Sequence, residues 1–177
     1  MSKILIVVDM LNDFVRKDGA LFFQAGADII PAVKKRIEAY IAAEDVIIFL
    51  CDAHAEDDKE FARFDKHAVK KTWGAGVVAD LVAVLSGYDT IFMPKTRYSG
   101  FYNTGLGVEL IQREADVVEV VGVCTSICVM DTVGGLANRD YKVTIPYDCV
   151  ADFDPEAHTA AIGRMATLYG AEIFKSA

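Results

Sequence analysis

The chain has 177 residues, 53% hydrophobic and 25% charged, a composition that is typical of a folded globular protein and excludes a disordered one. Its formal net charge of −8 argues against nucleic acid or an anionic membrane as the main partner. No apolar run is long enough to cross a bilayer, and no signal-peptide pattern precedes the first apolar run. We therefore expect a cytoplasmic protein whose four cysteines are reduced.

Apolar runs alternate with amphipathic segments along the chain. Six short runs are apolar on both faces, as in strands of a parallel sheet that helices cover: residues 4–8, 46–50, 90–93, 117–121, 142–146 and 171–174. Helical periodicity lies between them, at about residues 30–43, 77–85, 105–113, 128–139 and 155–168. This order predicts an α/β fold in one domain over residues 1–177, a doubly wound three-layer α/β/α arrangement with a mainly parallel six-stranded sheet.

Polar side chains follow four of the predicted strands. Ligands bind outside the carboxyl ends of the strands in open parallel sheets, so side chains at these positions are expected to face one site. The residues are Asp9 after the first strand, Asp52 and His54 after the second, Lys95 after the third, and Cys124 and Cys128 after the fourth. An acid, a base and a thiol at one edge of the sheet, together with Asp52 and His54 as a pair of metal-ligand residue types, predict an active site.

Cys128 is the candidate nucleophile. It lies at the predicted start of a helix, after a strand and a tight turn. The dipole and free N–H groups of a helix N-terminus favour a thiolate, and the same N–H groups can hold an oxyanion that develops on an attacked carbonyl. A buried structural cysteine explains this segment equally well.

Asp9 and Lys95 supply the groups that a cysteine nucleophile requires. Asp9 can take the thiol proton and later act as an acid, and Lys95 can keep Asp9 ionised and stabilise the thiolate. A turn cap and a surface cation are the alternative roles, but they do not explain why both residues follow strands. With Cys128, the two residues predict a cysteine-dependent amide hydrolase.

A second polar set lies in residues 52–75, a long segment without clear periodicity. Asp52 and His54 are two apart, so both can face one side of an extended segment, and His67 can close onto them. Carboxylate and imidazole ligands together suit Zn, Fe or Mn. Glu60 is a candidate fourth ligand, and a solvated loop is the alternative explanation for the whole set.

Four motifs resemble those of the isochorismatase-like cysteine hydrolases and, within them, the nicotinamidases. They are Val8-Asp9-Met-Leu-Asn-Asp13-Phe14, Asp52-Ala-His54, Lys95-Thr-Arg-Tyr98-Ser-Gly-Phe101 and Gly122-Val-Cys-Thr-Ser-Ile-Cys128-Val, each after a predicted strand. The resemblance runs nearly end to end, and the last motif is the most specific. One departure is Ser126, where many nicotinamidases carry Asp.

The resemblance implies an isochorismatase-like hydrolase fold and a catalytic triad of Asp9, Lys95 and Cys128. It also implies a cis peptide between Val123 and Cys124. The oxyanion would then be held by the backbone N–H groups of Cys124 and Cys128.

A divalent metal is also implied by the resemblance, with zinc as the first candidate and iron or manganese as alternatives. Its ligands match Asp52, His54, His67 and Glu60. Other acids of the loop remain alternatives for the fourth ligand: Glu56, Asp57 and Asp58. The aromatic positions that hold nicotinamide match Phe14, Phe64 and Tyr98, and core packing is the alternative for each of these.

The predicted activity is the hydrolysis of nicotinamide to nicotinate and ammonia through a Cys128 thioester. One alternative is another amidase of the superfamily, acting on a small ureido, carbamoyl or pyrazinamide-like compound. A second is a catalytically silent protein in which Cys128 is unreactive. The expected partner is a small-molecule amide, not nucleic acid or a membrane, and the apolar helix face at residues 130–136 is compatible with a homodimer or homotetramer.

Overall fold

The computed structural model describes residues 2–176, which form a seven-stranded sheet with helices on both faces. The strands are β1 (Ser2–Val8), β2 (Val46–Asp52), β3 (Ile91–Lys95), β4 (Ala115–Val123), β5 (Lys142–Pro146), β6 (Val150–Ala151) and β7 (Glu172–Phe174). Their order is β3-β2-β1-β4-β5-β7, with β6 paired to β4. All of these pairings are parallel, so the carboxyl ends of the strands meet at one edge.

Helices cover the sheet from both sides. They are α1 (Asn12–Val15), α2 (Gln24–Asp28), α3 (Ile30–Ala42), α4 (Ala79–Val82), α5 (Leu106–Gln112), α6 (Met130–Ala137) and α7 (Pro155–Leu168). Helices α3 and α4 contribute to the core on one face, and α5, α6 and α7 contribute to the core on the other. A π-helical turn at Thr125–Val129 leads directly into α6.

The central strand β1 shows why both layers are needed. Leu5 and Val7 belong to the core beneath α3, whereas Ile4, Ile6 and Val8 belong to the core beneath α6 and α7. All five side chains are fully buried. Successive side chains of a strand point to opposite faces, so a strand that is apolar throughout is stable only between two layers. This burial places the end of β1 in the middle of the sheet edge.

The structure confirms the predicted fold class, a mainly parallel sheet with helices on both faces. It has seven strands where the pattern predicts six, because β6 has only two residues and shows no periodicity of its own. Helices α1 and α2 are also too short for a periodic signal. Among residues 2–176, none of the helices combines the length and the hydropathy that crossing a membrane requires.

Gly122 permits a close approach of β4 to β1 at the edge where the polar residues collect. It pairs with Val8 and has a φ of +113°, and a Cβ built there would lie 2.0 Å from the carbonyl oxygen of Val8. Only glycine tolerates this φ and this approach. Gly122 therefore sets the spacing between the end of β1 and the turn that follows β4.

We expect Gly122→Ala to lower the free energy of unfolding by about 3 kcal/mol or more, because the added Cβ meets the β1 backbone in a strained φ region. The matched control is Gly163→Ala, inside α7, where a Cβ has open space and stability should rise by about 0.5–1 kcal/mol. Urea denaturation of both variants checks this, and equal stability of the two would contradict it.

Candidate active site

Lys95, the last residue of β3, is buried among side chains from three other elements. Its Nζ lies 2.6 Å from Asp9 Oδ2 and 2.6 Å from Asp52 Oδ1. The same ammonium donates to Cys128 Sγ over 3.4 Å. With a residue exposure of 2%, this charge depends on its partners and not on water. The structure thus brings Asp9, Lys95 and Cys128 together, although the sequence separates them widely.

The backbone around Asp9 holds its carboxylate in place. Asp9 has a φ of +49°, in the left-handed region that aspartate tolerates better than most residues. Its N–H donates to the Leu50 carbonyl over 2.9 Å, and its Oδ1 accepts from the Asp52 N–H over 2.8 Å. One carboxylate oxygen is therefore bound by the backbone of β2, and the other lies on Lys95.

The two carboxylates beside Lys95 differ in pKa. Burial raises the pKa of Asp9 to about 6, and the charge of Asp52 adds to this effect, although Lys95 opposes it. Burial also disfavours ionised Asp52, but Lys95 and His54 outweigh burial and keep its pKa below the usual value. Burial disfavours the Lys95 ammonium too, yet its acidic neighbours keep its pKa well above the usual value. Asp9 is therefore the member of this cluster that exchanges a proton most readily near neutrality.

Cys128 is the fourth residue of the π-helical turn Thr125–Val129, which follows a cis peptide between Val123 and Cys124. The helical segment therefore begins three residues earlier than its periodicity predicts. Burial raises the pKa of Cys128 well above the usual value, although Lys95 lowers it. Burial is the largest of the influences on this thiol. The thiol needs a base, and Asp9 is the carboxylate with the raised pKa.

Asp52 also belongs to a second buried cluster. Ligand-type atoms of Asp52, His54 and His67 lie within 4.8 Å of one another, and Glu60 Oε1 is 3.9 Å from His67 Nε2. His54 Nε2 and Glu60 Oε2 are buried without a hydrogen-bond partner among residues 2–176. Buried polar atoms ordinarily have a partner. Two such atoms beside further nitrogen and oxygen donors fit a site for a divalent cation.

The other acids of this loop have different environments. Glu56 pairs with Lys66 near the surface, and Asp57 is exposed. Glu60, in contrast, is 2% exposed and lies against His67. Of the four acids that the sequence leaves open, Glu60 is therefore best placed to complete the ligand set.

Asp58 lies on the opposite side of the His54 ring. Its Oδ2 is 3.1 Å from His54 Nδ1, and Arg97 holds the same carboxylate over 3.0 and 3.1 Å. A carboxylate accepts only, so this hydrogen bond requires a proton on Nδ1 and leaves the lone pair of neutral His54 on Nε2. Asp58 thereby orients the histidine toward the cluster instead of joining the cluster itself.

A cavity of about 360 Å³ opens beside both clusters. Its polar lining consists of Asp9, Asp52, Glu60, His67, Cys124 and Cys128. Its aromatic lining contains the three predicted residues Phe14, Phe64 and Tyr98 together with Phe22, Phe23 and Phe153. No lysine or arginine among residues 2–176 lines it.

Sequence reasoning does not identify Phe22, Phe23 and Phe153. The adjacent pair Phe22-Phe23, in a segment without periodicity between α1 and α2, is a signal that the sequence offers. Phe153 contacts Phe23 with a centroid distance of 6.3 Å, and it is 56% exposed at the rim. It follows the two-residue strand β6, so its position depends on a pairing that the pattern does not predict.

The chain resembles known proteins in both sequence and structure. The sequence of residues 3–177 matches the family model that describes the isochorismatase domain. Nicotinamidase/pyrazinamidase PncA from Bacillus subtilis has a TM-score of 0.94 at 30% identity, over 99% of this chain and 100% of that one. Pyrazinamidase of Pyrococcus horikoshii in complex with zinc has a TM-score of 0.91 at 30% identity, and the match covers 99% of this chain and 100% of that one. N-carbamoylsarcosine amidase from Thermoplasma acidophilum has a TM-score of 0.88 at 27% identity, and the match covers 99% of this chain and 96% of that one.

The fold, the buried site and these neighbours define the chain as an amidohydrolase. Because the family model spans nearly the whole chain, the protein belongs to the isochorismatase family. The predicted family and enzyme class are confirmed. Which amide the protein hydrolyses depends on the side chains that line its cavity.

We expect Lys95→Met to lower the free energy of unfolding by about 3–5 kcal/mol, because it leaves the buried Asp9 and Asp52 without their shared cation. Lys142→Met is the control, since Lys142 is exposed and its pair with Asp116 should contribute less than about 1 kcal/mol. Urea unfolding of the two variants is the measurement. Losses of equal size would show that the buried cluster does not stabilise the fold.

Proposed function

We propose that the protein is a nicotinamidase, which hydrolyses nicotinamide to nicotinate and ammonia. The lining of the cavity carries this proposal, since it combines aromatic walls with an absence of lysine and arginine among the described residues. Aromatic side chains pack favourably against a flat ring. A neutral ring amide fits such a cavity, whereas an anionic substrate would bring an unpaired charge into it.

The buried charges extend this argument. Lys95 is already within 2.6 Å of two carboxylates, so it is not available to a carboxylate of the substrate. Asp9 lines the cavity as well, and it must be ionised to accept the thiol proton, so it repels an anion. N-Carbamoyl and ureido acids carry a carboxylate, and nicotinamide and pyrazinamide do not. The electrostatics of the cavity therefore favour the ring amides.

In the proposed mechanism, Asp9 takes the proton from Cys128, and the thiolate attacks the carboxamide carbon. Lys95 stabilises the thiolate, and the backbone N–H groups of Cys124 and Cys128 hold the oxyanion. The C–N bond breaks as Asp9 returns the proton to the leaving nitrogen, which releases ammonia and leaves a thioester. Water then adds to the thioester with Asp9 as base. The C–S bond breaks, Asp9 returns the proton that it took from water to the Cys128 sulfur, and nicotinic acid leaves and loses its own proton to solvent as nicotinate.

We propose that Asp52, His54, His67 and Glu60 hold a divalent metal in this enzyme. The unpartnered atoms His54 Nε2 and Glu60 Oε2 support this assignment. So does the local charge, because the buried carboxyl groups of Asp9, Asp52 and Glu60 outnumber the one buried ammonium that interacts with them, that of Lys95. A bound metal supplies a Lewis-acidic position for a ring nitrogen. Zinc is the first candidate, since it suits these donors and is the metal of one structural neighbour.

A second candidate function is the hydrolysis of a ureido or carbamoyl compound. The similarity to N-carbamoylsarcosine amidase favours it. The lining of the cavity argues against it, because no lysine or arginine side chain among residues 2–176 lines it to pair with a substrate carboxylate. The two functions are separated by their substrates.

We expect nicotinamide and pyrazinamide to be hydrolysed with a kcat/KM at least about 100-fold above that of an N-carbamoyl amino acid, since burying an unpaired carboxylate costs several kcal/mol. Ammonia release from the purified protein measures this. The reverse order of substrates would overturn the nicotinamidase proposal in favour of the second candidate.

Cys128→Ala is expected to lower kcat for nicotinamide by roughly 1,000-fold or more, because the thioester route is lost. Cys149→Ala is the matched control, since Cys149 is buried in the core and does not line the cavity. Wild-type rates in both variants would sink the mechanism.

Asp58→Ala is expected to weaken zinc binding by about 10–100-fold, because His54 loses the partner that fixes its Nδ1 proton. Asp57→Ala, at the exposed neighbouring position, should bind zinc as the wild type does. Competition with a chromophoric chelator gives both affinities. An unchanged affinity in Asp58→Ala would contradict the role assigned to Asp58.

A further inference from the structure

Asp13 takes no part in the proposed chemistry, yet its carboxylate is buried in the motif that follows β1. It is 9% exposed, and it forms no ion pair within residues 2–176. Its Oδ1 accepts the Ala20 N–H over 3.1 Å, and its Oδ2 accepts the Ala68 N–H over 2.7 Å. Both oxygens of a buried carboxylate are thus bound by backbone donors from two different segments, one of them 55 residues away in sequence.

The two donors belong to two segments that both contribute to the lining of the cavity. Ala20 begins residues 20–23, all four of which line the cavity. Ala68 directly follows His67, which also lines the cavity. The Asp13 backbone adds further links, because its carbonyl accepts from Leu21 over 2.9 Å and its N–H donates to Gly74 over 3.1 Å. Asp13 therefore joins the aromatic wall at residues 20–23 to the loop that presents His67.

Two local features show that the backbone around the Asp13 carboxylate is closely fitted to it. Ala68 is fully buried with a φ of +44°, a left-handed conformation that is uncommon for alanine. Its N–H is one of the two that Asp13 binds. Gly74 packs on the same carboxylate, and a Cβ built there would lie 2.0 Å from Asp13 Oδ2. The loop after His67 is thus shaped around the Asp13 carboxylate on both sides.

We propose that Asp13 is a positioning residue that fixes His67 relative to the cavity wall at residues 20–23. The carboxylate is essential because both oxygens act as acceptors. An asparagine offers one acceptor oxygen and directs its NH₂ group toward the other backbone N–H. Loss of either hydrogen bond releases residues 20–23 from the loop that presents His67. The His67 ligand nitrogen and the aromatic side chains of residues 20–23 then no longer keep a fixed spacing. This inference rests on the proposed function for the metal-binding role of His67.

The test compares Asp13→Asn with Asp18→Asn, an exposed acid a few residues further along the same segment. Zinc affinity is measured by competition with a chromophoric chelator, kcat and KM are measured with nicotinamide, and stability is measured by urea unfolding in the presence of EDTA. We expect Asp13→Asn to weaken zinc binding by about 10–100-fold and to raise KM more than it lowers kcat. Asp18→Asn should match the wild type.

Gly74→Ala provides a second route, because its methyl group displaces the carboxylate without removing it. We expect it to weaken zinc binding in the same direction, so the proposal stays testable if Asp13→Asn does not fold. In a His67→Ala background, Asp13→Asn should change zinc affinity less than about twofold, because the ligand that it positions is absent. A purely structural role would lower stability in both backgrounds without this dependence on His67.

Zinc affinity unchanged in both Asp13→Asn and Gly74→Ala would overturn the proposal, as would an equal loss with and without His67. Failure of the proposed function is a separate outcome. It would appear as absent nicotinamide hydrolysis by the wild type, whereas the zinc measurements report on Asp13 whichever amide is the substrate.

Discussion

The buried ammonium of Lys95 is the constraint on which the rest of the site depends. It lies at the end of β3 and contacts a carboxylate after β1, a carboxylate at the end of β2 and the thiol after β4. A charge buried this deeply is stable only when its partners are placed by the surrounding structure. Parallel pairing of these strands, with Gly122 allowing β4 to approach β1, supplies that placement.

The pairing of Lys95 also determines which groups of the site face the substrate cavity. Lys95 is paired with two carboxylates and the thiol, and no lysine or arginine side chain among residues 2–176 lines the cavity beside it, whose walls are largely aromatic. Asp52 touches both Lys95 and the cluster with His54 and His67, so the proposed chemical and metal sites share one side chain. The proposed substrate, a neutral aromatic amide, fits both the chemical site and the metal site.

Much of this site follows from the sequence, because strand ends in a parallel sheet converge whatever the loops do. Asp9, Asp52, Lys95 and Cys128 are predictable on that ground. Glu60 is harder to select, since four acids lie within five positions and only packing shows which one is buried against His67. The positions of Phe153 and Asp13 depend on contacts between segments far apart in sequence, which no periodicity encodes. The pKa of Cys128 likewise depends on burial, which the strand-turn-helix pattern does not reveal.

In the proposed mechanism, Cys128 forms a thioester with a neutral ring amide, assisted by Asp9 and Lys95. Mass spectrometry of acid-quenched enzyme, taken during turnover of nicotinamide and digested at low pH, tests it most directly. We predict a nicotinoyl adduct on the peptide that contains Cys128 and none on the peptides that contain Cys51 or Cys149. Rapid turnover with the adduct on another residue, or with no adduct while a burst of ammonia is released, would contradict the account.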